Sequence, residues 1–337
     1  MLRQLDFHQP QDRASDSVSL VNSIAYVIPP KLPLDAILAP LLAAEDAIAR
    51  LDERARHSPL RDGWIARMLY REACASRLAA GELVHLEDLM LLDGGALTTT
   101  MTPDLSSAWH VLGVWRRASK ADPVELLRSQ RPGELVTDTM QPVDAPDYFY
   151  DPNWNEDARF AEWRRVLEDT KRLPPLLAAA IAWDAWLMLE PDQRGAWRAP
   201  LIAALVLKAR AKTRHVLLPL DTGRRFGKYR RHPNHDLAAR LTGFLEWART
   251  GAEQSIKDLD TRTLAADMLR SKLKGRRRNS RLPALVDLLL SRPLVSVRTA
   301  AKALRCSNQA VEAMLPLLGS IPRELTGRGR YRAWGIE

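Results

Sequence analysis

Apolar residues recur every three or four positions along most of the chain, and this spacing predicts amphipathic helices. In the first helix, Ile37, Leu41 and Ile48 fall on one stripe, and Asp35 stands before it as a candidate cap. The same period predicts helices after Pro59, over Leu86 to Leu92, from Glu156, over Leu176 to Leu189, over Pro200 to Ala211, over Asp236 to Ala248 and over Gln254 to Leu273. The predicted fold class is therefore mainly α.

Proline-rich and basic stretches divide this helical pattern. Pro29, Pro30 and Pro33 mark residues 1–34 as an N-terminal arm, and five prolines between positions 120 and 155 predict a loop-rich connection. The basic run KLKGRRRNSR lies within residues 270–281, which we interpret as a linker. The chain is thus predicted to hold a large helical domain over residues 35–269 and a small domain over residues 282–337.

The small domain has the pattern of a helix-turn-helix. A helix over Leu282 to Leu290 is followed by VRTAAKAL, with Ser296 as its cap, and by NQAVEAMLPLL, with Ser307 as its cap. Only Arg305, Cys306 and Ser307 separate the last two helices. Small residues in the first of them allow the close approach that this motif needs, namely Ala300, Ala301 and Ala303. Val311, Met314 and Leu315 are predicted to face inward.

From Arg323 onward the period changes to that of short strands. Gly327, Arg328 and Gly329 predict a turn between two such runs, and the resulting hairpin would be the wing of a winged helix-turn-helix. Alternation then places arginines on one face of the second strand and Tyr331 and Ala333 on the other; the arginines are Arg328, Arg330 and Arg332.

Charge supports a polyanionic partner for this end of the chain. Residues 270–337 contain 15 Lys and Arg against 4 Asp and Glu, whereas residues 1–269 contain 35 against 37. The net charge of +9 therefore arises in the last fifth of the chain. Such an asymmetry favours double-stranded DNA as the partner.

The expected DNA contacts fall into two groups. Reading of base edges is assigned to the helix that begins at Ser307, through Asn308, Gln309 and Glu312. Contacts to the phosphate backbone are assigned to the helix before it, the turn, the wing and the linker: Arg298, Lys302, Arg305, Arg328, Arg330, Arg332, Arg276, Arg277 and Arg278. The alternatives are a hairpin that only covers the small domain and a linker whose charge only increases solubility.

Several other classes are not favoured. The N-terminus lacks the features of a secretory signal, and the most apolar run, Leu176 to Leu189, has only 14 residues and contains Asp184, so no membrane segment is expected. Cys74 and Cys306 form no metal-ligand spacing, and His232 and His235 lack further ligands beyond Asp236. We expect a cytoplasmic protein, associated with the nucleoid when bound to DNA, with no metal and no cofactor.

Two stretches of the large domain carry a resemblance. The run AEDAIARLDERARHSPLRDGWIARMLYREACASRLAAGELVHLEDLM, residues 44–90, resembles the N-terminal helices of Fic-domain proteins. The block EPDQRGAWRAPLIAALVL, from Glu190, stands where such proteins carry HPFxxGNGR. With its C-terminal domain, the chain resembles an uncharacterised bacterial family of Fic-like fold that ends in a winged helix-turn-helix. The resemblance implies a nucleotidyl (AMP) transferase site at residues 190–198.

That site is degenerate. The histidine that acts as base in Fic enzymes is replaced by Glu190, whose usual pKa of about 4.3 makes it a poor base. Asp192, Ala196 and Trp197 replace the motif's Phe, Asn and second Gly, and an indole obstructs a phosphate cradle. The matching positions are Pro191, Gly195 and Arg198. The plainer interpretation of residues 190–192 is a helix end followed by an Asp cap.

A second motif of the family has also changed. In many Fic proteins a helix bearing [S/T]xxxE[G/N] restrains activity, and its Glu pairs with the motif arginine. The matching stretch SRLAAG keeps Ser76 and Gly81 but has Ala80 at the glutamate position. We therefore expect a catalytically inactive domain, used for homodimerisation or for sensing a small molecule or a protein.

Three functions follow, from different classes. The first is a dimeric DNA-binding transcription regulator, the second an active AMP transferase whose small domain selects targets, and the third an interaction protein that binds nucleic acid without sequence preference. A further basic tract lies between positions 208 and 231, and we interpret it as solvated loops. The alternative is a surface that binds DNA or the phosphate group of an effector. The tract contains Lys208, Arg210, Lys212, Arg214, Arg224, Arg225, Lys228, Arg230 and Arg231.

Overall fold

The computed structural model describes residues 25–95, 100–129, 151, 153–193, 195–232, 234–274, 280–326 and 332–336. The mainly α prediction is confirmed. The helices are α1 (Leu34–His57), α2 (Arg61–Ala79), α3 (Leu86–Asp93), α4 (Pro103–Lys120), α5 (Pro123–Arg128), α6 (Glu156–Asp169), α7 (Pro175–Leu189), α8 (Ala199–Ala209), α9 (Leu220–Phe226), α10 (Leu237–Ser271), α11 (Leu282–Ser291), α12 (Val297–Leu304) and α13 (Asn308–Met314). The strands are β1 (Val295–Ser296), β2 (Arg323–Glu324) and β3 (Ala333–Gly335).

The core of the large domain is built around α7 and α8, which pack against each other. Helix α7 is apolar on every side, and twelve of its residues are buried. Its one acidic residue, Asp184, is fully buried, where it accepts hydrogen bonds from Arg240 at 2.7 and 3.0 Å and from the Tyr26 hydroxyl at 2.8 Å. Because a buried carboxylate needs a partner, these contacts explain how α7 tolerates Asp184. They also attach Tyr26, in the predicted N-terminal arm, to the large domain, and residues 25–33 form no helix or strand.

Three boundaries predicted from the sequence were wrong. Helix α1 begins at Leu34, and Asp35 lies within its first turn without capping it. Helix α8 ends at Ala209, and Ala211 has a positive φ of 57°. The loop-rich stretch contains α5, capped by Asp122, while residues 130–150 lie outside the described part of the chain.

The two helices predicted over 236–248 and 254–273 are one helix, α10, of 35 residues. Asp236, at which the first of these helices was predicted to begin, caps the first turn of α10. Gly251 lies between the two predicted helices and marks a close approach: a Cβ there would lie 2.3 Å from the carbonyl oxygen of Pro219. The glycine therefore admits the chain before α9 and does not end the helix.

The small domain is joined to the large one through α2. A Cβ at Gly63 would lie 2.1 Å from the carbonyl oxygen of Leu290, so α2 and the end of α11 are in backbone contact. Beside it the buried guanidinium of Arg67 donates to the carbonyl oxygens of Leu289, Leu290 and Arg292 at 2.7, 2.8 and 2.6 Å. Carbonyl groups at the C-terminal end of a helix lack hydrogen-bond donors within the helix. Arg67 provides these donors, and its positive charge is favourable at a helix C-terminus. Among the described helices none has the length and apolarity to cross a membrane.

Candidate nucleic-acid interface

Two serine caps define the helix-turn-helix. The Ser296 hydroxyl accepts from the backbone N–H of Thr299 at 3.1 Å and starts α12. The Ser307 hydroxyl accepts from the backbone N–H of Ala310 at 3.2 Å and starts α13. Between the helices Arg305 adopts a left-handed φ of 51°, and the N–H of Cys306 returns to the carbonyl of Ala301 at 3.0 Å. The break at residues 305–307 lies where the sequence predicted it.

The inner faces of the two helices form the small core. Ala300, Ala301, Val311 and Leu315 are buried, and Met314 is half-buried. Ala303 is exposed, so its predicted role in close helix packing was wrong. It lies three residues after Ala300 but turns away from α13.

The outer face of α13 is polar and open. Asn308, Gln309 and Glu312 are all exposed, at the positions that the sequence assigned to base edges. Amide side chains pair with adenine and carboxylates accept from cytosine in the major groove. This face therefore presents side chains of the kinds that read base edges.

Cations surround this face. Arg298, Lys302 and Arg305 are exposed, and within the described residues none of them forms an ion pair with a carboxylate. Their charges are thus available for phosphate groups.

The wing is part of a three-stranded antiparallel sheet in the order β1-β3-β2. Glu324 of β2 is opposite Trp334 of β3, which is also opposite Val295 of β1. The sheet supports the predicted hairpin, whose tip at 327–331 lies outside the described residues together with Arg328 and Arg330. The linker residues Arg276, Arg277 and Arg278 lie outside them too.

Of the three arginines predicted along the second strand of the wing, Arg332 lies within the described residues, and it is paired. Its Nε donates to Oε2 of Glu324 at 3.0 Å, across the hairpin. Hydrogen bonding from Arg332 lowers the pKa of the Glu324 carboxyl. The pair offsets the positive charge of Arg332, which makes this residue a weaker candidate for phosphate contact than the unpaired cations of α12.

Sequence reasoning missed the residues that hold this domain in place. Arg281, at the end of the predicted linker, donates to the carbonyl oxygens of Leu304, at 2.6 Å, and Arg305, and so closes α12. Arg262 of α10 donates to the carbonyl of Ile336 after the wing. An arginine that donates to carbonyl groups distant in sequence is not marked by any spacing pattern.

The degenerate Fic motif joins α7 to α8. Helix α7 ends before Glu190, as predicted, and Glu190 has a left-handed φ of 45°. Asp192 does not cap a helix; its carboxylate pairs with Arg198 inside the loop. The N–H of Gly195 bonds to the carbonyl of Asp192 at 3.0 Å, and that of Arg198 to the carbonyl of Gly195 at 2.9 Å.

This loop offers little to a phosphate. Its arginine already has an acidic partner, and a Cβ at Gly195 would lie 2.5 Å from Asp192 Oδ2, so a carboxylate fills the space beside the glycine. The described positions that follow in the motif form a turn and a ring contact: Ala196 opens a short 3-10 turn, and the ring of Trp197 packs edge-on against His110 at 5.9 Å.

The other candidate residues, in the basic tract and the histidine pair, mostly form hydrogen bonds or ion pairs with other groups of the protein. Arg210 donates to the carbonyl of Thr170 at 2.8 Å, and Lys212 pairs with Glu45, so the basic tract is not one solvated surface. His235 bonds through Nδ1 to the Tyr229 hydroxyl at 2.8 Å, beside His232. In the described part of the chain no group of three His, Cys, Asp or Glu could hold a metal ion.

Comparison with known proteins separates the two domains. Residues 148–274 match a family model described as a protein of unknown function (DUF1612), and residues 282–336 match one described as an HTH DNA binding domain. A Fic family protein from Desulfovibrio desulfuricans G20 is similar over 93% of this chain and 97% of its own, at 15% identity and a TM-score of 0.46.

One similar protein covers both domains. The uncharacterized protein y4cF of Sinorhizobium fredii (strain NBRC 101917 / NGR234) is 31% identical over 376 aligned residues, which span 91% of this chain and 98% of y4cF. The chain therefore belongs to the same protein family as y4cF, and in it a DUF1612 segment is followed by a helix-turn-helix DNA-binding domain.

Proposed function

We propose that the chain is a transcription regulator that reads double-stranded DNA with α13 as its recognition helix. The observation that carries the proposal is the outer face of α13, where Asn308, Gln309 and Glu312 are exposed beside the unpaired cations of α12. Polar side chains that can distinguish bases, flanked by charges that can position a backbone, form the arrangement that sequence-specific binding requires.

The large domain acts in this proposal without catalysis. The charge of Arg198 is offset by Asp192, and the backbone N–H groups of Gly195 and Arg198 donate to carbonyl groups of the loop itself. A nucleotide phosphate would have to displace a carboxylate from a cation and then face it, which is unfavourable because like charges repel. The domain serves to hold the DNA-binding domain and to bring two copies together.

A homodimer fits the size of the reading surface. Helix α13 spans only residues 308–314, so one copy contacts few base pairs. Two copies on two half-sites combine their binding free energies, and a regulator needs this gain to select its site among many competing sites.

The test uses the full-length protein and a library of random duplexes. Repeated selection on the immobilised protein should enrich one sequence with two related half-sites, and the anisotropy of the labelled duplex should then report its affinity at several salt concentrations. R298A/K302A should weaken binding and lower the salt slope by about 2, since each phosphate contact contributes about 1. K171A/K257A removes two exposed lysines of the large domain and serves as the control for net charge.

Each alternative has its own outcome. Binding without an enriched sequence would support the interaction protein that holds nucleic acid unspecifically. Calorimetric binding of ATP that is lost in R198A would support the transferase. No binding to any duplex at low salt would refute the regulator and leave the helix-turn-helix without a nucleic-acid partner.

A further inference from the structure

A cavity of about 470 Å³ lies between α2, α4, the end of α8 and residues 214–217. Its apolar wall is formed by side chains of α2 and of the segment after α8, including Ile65, Leu69 and Leu217. A volume of this size is within the range of about 300–1,000 Å³ that small-molecule sites occupy. The cavity is therefore large enough for a metabolite.

The cavity rim is strongly basic. Five of the lining residues are Lys or Arg and a single one is acidic, Asp62. Two of the five are neutralised, because Arg61 pairs with Asp62 at 3.1 Å and Arg116 pairs with Asp93 at 2.6 Å. The other three form no ion pair with a carboxylate in the described part of the chain; they are Lys120, Lys208 and Arg214.

These charges are held in position by the fold. Lys208 is half-buried and donates to the carbonyl of Ser119 at 2.8 Å, and burial lowers the pKa of its ammonium group while Asp122 opposes the shift. The backbone N–H groups of Arg214 and His215 both donate to Asp52 Oδ1 at 2.8 Å, which fixes the segment that carries Arg214. Lys208 and the backbone that carries Arg214 are thus preorganised, which reduces the entropy that is lost when a ligand binds.

The cavity is separate from the degenerate Fic motif. The motif meets α4 at His110, where Trp197 packs, whereas the cavity meets α4 at Arg116, Ser119 and Lys120. At 1.5 Å per residue these positions are about 9–15 Å further along the helix. The cavity also explains part of the basic tract between positions 208 and 231, which the helix-turn-helix does not use.

We propose that this cavity binds a small organic anion, with its phosphate, sulfonate or carboxylate group on Lys120, Lys208 and Arg214 and its apolar body against α2 and Leu217. The chemistry of the lining supports a mixed ligand, since an inorganic anion would leave the apolar wall in water and a neutral ligand would leave three cations without a partner. The phosphate backbone of a duplex is a poor occupant, because a convex helix cannot enter the cavity to reach its apolar wall.

The position of the cavity suggests what the ligand would change. Ile65, Ala66 and Leu69 face the cavity, while Gly63 and Arg67 of the same helix hold α11. A ligand that shifts α2 therefore acts on the residues that fix the DNA-binding domain. This effector role rests on the function proposed above, whereas binding of the anion does not.

Binding is tested with two dyes that share one ring system. Anilinonaphthalene sulfonate carries a single anionic group, and phenylnaphthylamine is its neutral counterpart; both fluoresce in apolar surroundings. The anionic dye should bind the full-length protein at least about tenfold more tightly, since its sulfonate meets partly desolvated cations. K120A/R214A should weaken the anionic dye by at least about fivefold and leave the neutral dye unchanged.

Two further variants assign the effect to the cavity. A66W fills the space and should abolish binding of both dyes, while K171A/K257A makes the same change of net charge at exposed positions elsewhere and should change neither. Thermal unfolding checks that each variant is folded. The unfolding temperature of K120A/R214A should equal that of the wild type, because both substitutions alter exposed side chains. Equal affinity of the two dyes, or unchanged anionic-dye binding in K120A/R214A, would overturn the proposal.

DNA binding in the absence of dye separates this proposal from the previous one. If Lys120 and Arg214 bind a ligand, K120A/R214A keeps the wild-type affinity for DNA. A loss of DNA affinity in this variant would place the two cations on a DNA-contacting surface and refute the cavity as an anion site. Failure of the wild type to bind DNA would refute the regulator and leave the dye results intact.

Discussion

Removing the guanidinium of Arg67 should loosen the junction between the two domains. The substitution Arg67→Met keeps most of the side-chain volume and removes four hydrogen bonds, three of them to carbonyl oxygens at the end of α11 and one to Gly63. Arg67 is only 5% exposed, so solvent cannot replace its donors without opening the junction. We expect α11 to separate from α2 more often than in the wild type.

The magnitude follows from two opposing terms. Each of the three carbonyl groups that stays buried without a partner lowers the stability of the junction by about 1–3 kcal/mol. Removal of the buried charge opposes this loss. Burial disfavours the charged form and lowers the pKa of Arg67 to about 9, but the guanidinium is still protonated at neutral pH, so the wild type carries the cost of burying it. Removing one member of a buried charged set destabilises by about 3–5 kcal/mol, and we expect the lower end, about 3 kcal/mol, because Arg292 is exposed to water.

Hydrogen exchange measured by mass spectrometry reports this opening directly. About 3 kcal/mol corresponds to opening that is more frequent by a factor on the order of 100, and amides of α11 should exchange faster by that factor. Amides of α7 and α8 should keep their protection, because Arg67 does not contact them. Arg50→Ala, which breaks an exposed ion pair with Asp46, serves as the control. Unchanged exchange in α11, or an equal increase in every helix, would refute the role given to Arg67.

Four further changes test other parts of the structure. Asn308→Ala should remove discrimination at one base pair of the selected duplex, by about 1–3 kcal/mol, when affinities for single-base variants are compared. Lys302→Ala should weaken binding to all duplexes alike and reduce the salt slope by about 1. Ser296→Ala should lower the free energy of unfolding by about 1 kcal/mol in urea, since α12 loses its cap. Glu72 gives a pH test. Burial raises the pKa of its carboxyl to about 8, against an ordinary value of 4.5. Between these two pH values the folded state therefore keeps a proton that the unfolded state has released. Stability should therefore fall as pH rises from 5 to 8, and Glu72→Gln should show a smaller fall in parallel urea titrations; an identical pH dependence in the two proteins would contradict this assignment.

The sequence predicted those features that depend on local signals. The caps Ser296 and Ser307 lie where the hydroxyl precedes an apolar period, and the inward positions of Val311 and Leu315 follow from helical spacing. The wing was predicted from its turn glycines, and β2 and β3 pair on either side of that turn. Each of these features is decided by residues within about ten positions of one another, which a single sequence displays.

The features that were missed depend on contacts between distant segments. Arg67 and Leu290 are separated by 223 positions, and nothing near Arg67 distinguishes it from an exposed helical arginine. The continuity of α10 through Gly251 depends on the chain before α9, and the charge of Arg332 is offset by a strand partner. A composition count treats that arginine as a free cation, so it overstates the positive charge available at Arg332.

In the function proposed above, the junction between the two domains also involves the large domain in DNA binding. In the proposed homodimer the two recognition helices must lie about 34–36 Å apart to enter successive major grooves. Because Arg67 of α2 and Arg262 of α10 hold the small domain at α11 and at Ile336, this separation is determined by how the large domains associate and not by the linker. A change in α2 then alters the fit to both half-sites at once. R67M should therefore reduce affinity for the full two-half-site duplex more than for a single half-site; an equal reduction for both would mean that the junction does not set the spacing.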